Sequence, residues 1–425
     1  MTSAHQRALA SIDRLLPQYR ELLQRLVRIP SPVGCEGDAQ ALVATHMQHL
    51  GLDVRSFDID PAALRHLPGF NQTARDYTAR PCVVGVAKGS GGGRSLLLNA
   101  HIDTVPVEAP ETWSHAPFTG AIEDDCLYGR GACDDKAGVV ECLLVAHAIK
   151  DAGLELAGDL TIASVVEDES SGNGTLATIE HGYTADGVII VDGTWPERFI
   201  VSHMGQVTFE IQIDGVPGHA TAAGPNPVFA ISVVVQALQT LVADCNAACK
   251  APWADKTAPY FVNVGMVHGG VWPGSVPARC IVAGQFGFAP PDTCDTVEAG
   301  IRDAISRVMS QPAWPAGAVV DVRFAGLETE PHIGVPANPI VQLLARTISE
   351  RHQATLRESV ISGHCDLRHY ASAAHGGTTA ACLYGPGGGR NVHGTDEYFE
   401  LAHLSVVAGN IACVALDWCG IAHDR

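Results

Sequence analysis

The sequence predicts an α/β fold in two parts, a larger α/β domain with a smaller ferredoxin-like domain inserted into it. Three observations predict this. Up to about residue 200, short apolar runs alternate with helical stretches, the pattern of a sheet with helices packed on its faces. At about residue 201 the texture changes, and Val207, Phe209, Ile211 and Ile213 alternate with polar partners, as in a strand with one face toward solvent. After about residue 330 the first texture returns.

The elements follow in order. Residues 10–28 have the spacing of an amphipathic helix, stopped by Pro30 and Pro32, and Asp38 to Leu50 predicts a second helix closed by Gly51. Residues 60–80 mix Pro, Gly and Arg and predict a long loop. Strands are predicted at Cys82 to Ala87 and Leu96 to Ala100, a helix at Ala137 to Ile149, and strands at Leu160 to Val166 and Gly187 to Val191. The inserted part then contains the strand around Val207 to Ile213 and a helix at Val228 to Val242. Strands at Tyr260 to Val267 and Arg279 to Phe288, a helix at Thr296 to Met309 and a strand at Val319 to Phe324 follow. That β-α-β-β-α-β order is the ferredoxin-like plan.

Composition narrows the class. The chain has 425 residues, long enough for two or three domains, and its formal charge is 27 − 46 = −19. Such an acidic balance argues against a nucleic-acid or anionic-membrane partner. Hydrophobic residues make up 46%, too many for a disordered chain. Apolar runs such as Val188 to Val191 break off within a few residues, so no span of about 18 residues is expected. Residues 1–30 alternate charge with leucine (Arg14, Leu15, Leu16, Arg20, Glu21, Leu22), which predicts a helix and not a secretory signal. Thirteen cysteines, an odd and scattered set without a Cys-x-x-Cys pair, are expected to be reduced, mostly as small buried hydrophobes. A soluble, cytoplasmic globular protein is the expectation.

Potential ligand residues collect just after the predicted strands, where α/β sheets place their sites. His101 and Asp103 follow Leu96 to Ala100, Asp134 ends the run Gly129-Arg130-Gly131-Ala132-Cys133-Asp134, and Asp168 and Glu169 follow Leu160 to Val166. Asp192 follows Gly187 to Val191, and His393 lies in the glycine-rich segment from Gly385 to Gly394. Taken singly, each has an ordinary structural use as a helix cap, a hydrogen-bonded histidine or a solvated turn. Together, imidazoles and carboxylates form a donor set for Zn²⁺, Co²⁺ or Mn²⁺, with one carboxylate able to bridge two ions.

The motifs His101-Ile102-Asp103-Thr104-Val105-Pro106, Tyr128 to Gly138, and Glu167-Asp168-Glu169 occur in an order that resembles one family. It is the di-zinc family of aminoacylase, acetylornithine deacetylase, succinyl-diaminopimelate desuccinylase and glutamate carboxypeptidase. The similarity continues through Gly215 to His219, Gly269-Gly270, and Gly385-Pro386 with His393, Asp396 and Glu397. It implies a mixed-sheet metallohydrolase catalytic domain made of residues 1–200 and 329–425, with a lid and dimerisation domain at 201–328. It also implies two divalent ions per subunit, Zn²⁺ foremost and Co²⁺ or Mn²⁺ as alternatives. His101 and Asp192 would hold one ion, Glu169 and His393 the other, and Asp134 would bridge them. Asp103 would orient His101 by a hydrogen bond. Asp168 would be the general base, and His219 would reach the site of a partner subunit in a homodimer and stabilise the oxyanion.

Three positions depart from the family's pattern. The base position usually carries Glu and here carries Asp168, which leaves Glu167 as the alternative base. Asp192 stands where Glu is frequent. The third strand of the inserted domain, Ile281 to Phe288, lacks the Arg with which many relatives grip a substrate carboxylate. Arg368 could supply that grip by bidentate pairing, with Asn263 and Ser275 as further substrate-binding candidates. Trp113 and Trp272 are alternatives for an apolar pocket.

The activity implied is hydrolysis of the linear amide of a small N-acyl compound, most similar to acetylornithine-type deacylation of N-acyl amino acids. Asn173-Gly174-Thr175 and His393-Gly394 lean toward that branch. Dipeptidase or carboxypeptidase action, deformylation of a heterocyclic formylamine, and a catalytically weak metal-site binding protein are the alternatives.

Overall fold

The computed structural model describes residues 1–193, 195–221, 224–250, 253, 259–378 and 380–424. The larger part begins with helices α1 (Ser3–Val27) and α2 (Gly37–His49), followed by strands β1 (Asp53–Phe57), β2 (Cys82–Ala87) and β3 (Leu96–His101). Helix α3 (Lys136–Asp151), β4 (Leu160–Val165), α4 (Asn173–Glu180), β5 (Gly187–Ile190) and β6 (Arg198–His203) continue it. The chain then forms a second sheet from β7 (Gly205–Asp214), α5 (Val228–Ala248), β8 (Phe261–Gly269), β9 (Arg279–Phe288), α6 (Cys294–Met309) and β10 (Val319–Thr329). It returns through α7 (Pro339–His352), β11 (Arg357–Ile361), β12 (Ala381–Leu383) and α8 (Ala402–Cys419).

The first sheet has eight strands in the order β1-β2-β4-β3-β5-β12-β6-β11. Parallel pairs (β3 with β4 and β5, β5 with β12, β6 with β11) and antiparallel ones (β1 with β2, β2 with β4, β12 with β6) make it mixed. All six residues of β3 are buried, as expected of a strand covered on both faces. Helices α1, α3, α7 and α8 pack against one another, and α2 packs on β2. Because β3 and β5 run parallel, His101 and Asp192 emerge from the same edge of the sheet.

The second sheet is antiparallel in the order β8-β9-β7-β10, the ferredoxin-like arrangement, with α5 and α6 packed on it. Val207, Phe209, Ile211 and Ile213 face Ala230, Val234, Leu238, Ile301 and Ile305 in a core separate from that of the large sheet.

Some expectations need correction. Helix α1 starts at Ser3, not near residue 10, because Thr2 and His5 form a reciprocal capping box. The loop expected at 60–80 contains a short helix, Pro61–Leu64, capped by Asp60. The break expected at 200/201 falls later, because Arg198–His203 is a strand of the large sheet; its run Phe199-Ile200-Val201 is continuously buried and carries no alternation to mark it. Two helices, Val228–Ala248 and Ala402–Cys419, are long and apolar enough to cross a membrane by length and composition, contrary to the expectation of no such stretch. The second is mostly buried against α1, α3 and α7. All thirteen cysteines are free thiols.

Candidate metal centre

Asp134 is presented by a tight turn ahead of α3. The turn requires Gly131, whose φ is +80° and where a Cβ would lie 2.5 Å from Thr104 Cγ2. Beside it, Arg130 and Glu397 form a buried ion pair, and Glu397 also accepts the main-chain N–H groups of Gly131, Cys133 and Asp134 at 3.0, 3.1 and 3.2 Å. At Gly138 a Cβ would lie 1.9 Å from the Val191 carbonyl oxygen, so glycine lets α3 press against the strand end that carries Asp192.

The Asp134 carboxylate stands between two imidazoles. His101 Nε2 is 2.9 Å from Oδ1, and His393 Nε2 is 3.2 Å from Oδ2. His393 Nε2 is also 3.0 Å from Glu169 Oε1. Two triplets result, His101–Asp134–Asp192 and Asp134–Glu169–His393, each with its donor atoms within 4.8 Å of one another. The structure thus brings together all five expected ligand residues, with Asp134 common to both triplets.

The electrostatics fit a cation. Burial works against the Asp134 carboxylate, but hydrogen bonds from His101 and His393 outweigh it and hold its pKa well below the ordinary range. Burial pushes Glu169 up to about 7, with repulsion from Asp134 adding to it, and the same two causes raise Asp192 well above its ordinary value. Burial lowers His393, yet Asp134 and Glu169 overcome it and raise the ring to about 11. Carboxylates forced together until their charge is costly, against rings held as imidazolium, are a donor set in which positive charge is missing.

Around this core the three consecutive acids diverge. Glu167 has φ +71° and turns its side chain into the interior. There Arg80 Nη2 donates to Oε1 at 2.6 Å, and the Ser170 and Ser171 hydroxyls donate to Oε2 at 2.9 and 2.8 Å. Asp168 and Glu169 line the cavity instead. Asp168 Oδ2 is 4.0 Å from His101 Nε2, and burial is the main cause of its raised pKa, opposed by His101. His364, neutral because burial and Arg368 lower its pKa to about 4, places Nε2 3.0 Å from the Asp168 carbonyl oxygen.

Several expected site residues lie outside the cavity lining. His101 Nδ1 bonds the Asp103 carbonyl oxygen at 2.9 Å, while the nearer carboxylate oxygen is 3.6 Å away. The Asp103 carboxylate accepts the Asp168 and Glu169 N–H groups at 3.3 and 3.1 Å, so it fixes the loop rather than the ring. Arg368 does not line the cavity; it donates to the carbonyls of Cys365 (2.9 Å) and Ser171 (3.3 Å) within the wall. Asn263, on the edge strand β8, and Ser275 are exposed and lie outside the cavity lining, because the site faces the inner strands β7 and β9. His219 is exposed on a two-residue strand paired with Ser275, also outside the lining, with Nδ1 2.9 Å from Thr221 Oγ1. Trp113 is buried beneath Arg130 and Trp272 is 70% exposed, so neither lines the site.

The cavity over the ligand cluster measures about 560 Å³. Among the lining side chains given no role from the sequence are Trp195, Gln206, Gln285 and His364. For Gln285 a signal existed: it lies on the lid strand whose missing Arg drew attention.

The model of peptidase family M20/M25/M40 matches residues 97–417. The chain is 26% identical to N-formyl-4-amino-5-aminomethyl-2-methylpyrimidine deformylase of Halalkalibacterium halodurans, over 97% of this chain and 96% of that protein. It is 24% identical to succinyl-diaminopimelate desuccinylase of Gluconacetobacter diazotrophicus, over 90% and 92% of the two chains. Among solved structures, the dipeptidase Dug1p of Saccharomyces cerevisiae has a similar fold, with a TM-score of 0.82 at 14% identity over 99% of both chains. Human carnosine dipeptidase 1 is also similar, with a TM-score of 0.79 at 15% identity, covering 98% of this chain and 99% of that one.

Proposed function

The chain belongs to peptidase family M20/M25/M40, and on that premise we propose that it hydrolyses the linear amide of a small N-acyl compound at a paired divalent-metal centre. The observation that carries the reading is the sharing of Asp134 between two histidine-containing triplets, 2.9 Å from one ring and 3.2 Å from the other. Two nitrogen and three carboxylate donors suit Zn²⁺, with Co²⁺ or Mn²⁺ as alternatives. His101 and Asp192 would hold one ion and Glu169 and His393 the second, with Asp134 contributing to both. Divalent ions so bound supply Lewis acidity for the carbonyl and lower the pKa of water.

The chain's own groups carry the protons. Asp168, in the cavity and held there by the Asp103 and His364 contacts to its backbone, removes a proton from the attacking water and returns it to the leaving amine. Its raised pKa favours the second transfer. Glu167 is committed to Arg80, which supports Asp168 over Glu167 as the base. His219, exposed on the lid, acts at the partner's site in a homodimer formed through the inserted domain. Phe229 and Trp272, 68% and 70% exposed on that domain, support such an interface. The free cysteines are in keeping with a cytoplasmic setting.

A second reading is favoured by a specific observation. The deformylase relative matches along 97% of the chain, so formyl amines belong beside N-acetyl amino acids as substrates. Assays of the Co²⁺-loaded protein with N-acetyl amino acids, dipeptides and formyl amines test both. Release of amine from N-acyl compounds but not dipeptides is expected, and dipeptide cleavage alone would refute the deacylase reading.

A further inference from the structure

The cavity meets the lid sheet at two glutamines. Gln206 lies near the start of β7 and Gln285 on β9, the strand beside it. In the register Gln206 is opposite Gly287, two residues from Gln285. The glutamines are therefore diagonal neighbours on one face, with the Phe261 ring packed over Gly287. Gln206 is only 4% exposed, yet neither carboxamide has a hydrogen-bond partner among the described residues. Both side chains line the cavity and Gln285 is only partly buried, so each carboxamide is free to hydrogen-bond a ligand there in place of water.

The rest of the lining defines what that ligand is. Four carboxylates, Asp134, Asp168, Glu169 and Asp192, face the cavity, and among the described lining residues there is no Arg or Lys. Trp195 adds a flat aromatic surface. A substrate carboxylate placed against the glutamines would be desolvated with no Arg or Lys among the described lining residues to pair with. A neutral edge with one donor and one acceptor matches a glutamine carboxamide in a bidentate pair, as glutamine pairs with an amino group beside a ring nitrogen.

We propose that Gln206 and Gln285 form the subsite that reads the amine half of the substrate, selecting an amine without a carboxylate that carries a neutral donor–acceptor edge. A primary carboxamide and an amino-substituted azine ring are the two forms of that edge. The proposal rests on the deacylase reading above, and its test separates binding from turnover.

Phenylalaninamide and phenylalanine are titrated calorimetrically into the Zn²⁺-loaded full chain, and their N-formyl derivatives are compared in kcat/KM. The amide is expected to bind at least about 10-fold tighter than the acid, and its formyl derivative to react faster by a similar factor. Gln206→Leu and Gln285→Leu each reduce amide binding about 10-fold, and Gln285→Arg reverses the order of the two ligands. Gln206→Met and Gln285→Met, which keep the side-chain length without the carboxamide, replace any leucine variant that fails to fold, and each is expected to weaken the amide preference. Equal or tighter binding of phenylalanine, binding of neither ligand, or a preference unmoved in folded variants would overturn the subsite. Amide-selective binding without turnover of either formyl compound would leave the subsite standing and count against the hydrolase reading. Turnover with preference for the acid would do the reverse.

Discussion

Arg130 Nη1 lies 2.5 Å from Glu397 Oε2, a buried pair next to the turn that delivers Asp134. The remaining capacity of Glu397 is spent on three amides of that turn, the Asp134 N–H among them, so the pair shapes the backbone that carries the residue common to both triplets.

Removal of one partner leaves a buried charge unpaired, which costs about 3–5 kcal/mol. Glu397→Ala is therefore expected to lower the Tm and weaken Zn²⁺ binding together. Glu397→Gln, which still accepts from the amides, should have a smaller effect on both. Thermal unfolding with and without Zn²⁺ checks this, and unchanged metal affinity in Glu397→Ala would show that the turn holds its shape alone.

Asp168 and Glu167 are adjacent but face different surroundings. Asp168→Asn should lower kcat by roughly 10²–10⁴-fold with metal content unchanged. Glu167→Gln should instead lower the Tm, since it breaks the pair with Arg80. Metal analysis, kinetics and melting curves of both variants separate the roles; a Glu167→Gln enzyme as inactive as Asp168→Asn, yet fully stable, would reverse the assignment.

The two triplets predict a stoichiometry. The wild-type chain should bind two Zn²⁺, Asp192→Asn and Glu169→Gln about one each under limiting metal, and Asp134→Asn should be impaired at both sites. Binding must release protons, because the ligands coordinate deprotonated. With His393 raised to about 11 and Glu169 to about 7, affinity should fall as pH drops from about 11 and more steeply below about 7. Calorimetry in buffers of different ionisation enthalpy reads the proton count.

His219 lies outside its own chain's cavity lining. His219→Asn should lower kcat about 100-fold with little change in KM. Mixed dimers of His219→Asn and Asp168→Asn subunits should regain activity, since one of their two sites then has both groups intact. No recovery on mixing would place the histidine's action within its own chain, or nowhere.

Stability should also respond to pH at a point far from the site. His46 Nε2 lies 3.1 Å from the Tyr19 hydroxyl, which is 3.0 Å from His147 Nδ1. Burial, followed by the charges of His147 and His49, lowers the His46 pKa to about 4. As pH falls from about 6.5, the unfolded chain takes up a proton that the folded chain refuses until about pH 4. Stability contributed by neutral His46 is thus lost across that window, and His46→Gln should flatten the Tm profile there.

The candidate ligand set stood out in the sequence because each residue sits directly after an apolar strand or in a glycine-marked turn. Parallel strands deliver His101 and Asp192 to one edge, and the grouping of His101, Asp134, Glu169, Asp192 and His393 rested on the motifs' resemblance to the family. The lid plan was legible from alternation at Val207 to Ile213, whereas β6 was hidden by its uninterrupted burial.

What the sequence alone determined, then, was the layout of strands and helices, which follows from local periodicity, while the candidate donor set came from the motifs and their resemblance to the family. Which of three consecutive acids faces the cavity depended on the backbone at Glu167 and on Arg80 arriving from a distant loop. Whether Arg368 could grip a substrate depended on carbonyls of Cys365 and Ser171 that claimed its guanidinium first. The wall opposing the ligands became known only when two lid strands were registered so that Gln206 and Gln285 shared a face. Each of these is a competition for one side chain's hydrogen bonds, decided by neighbours remote in sequence, and only the tertiary structure supplies them.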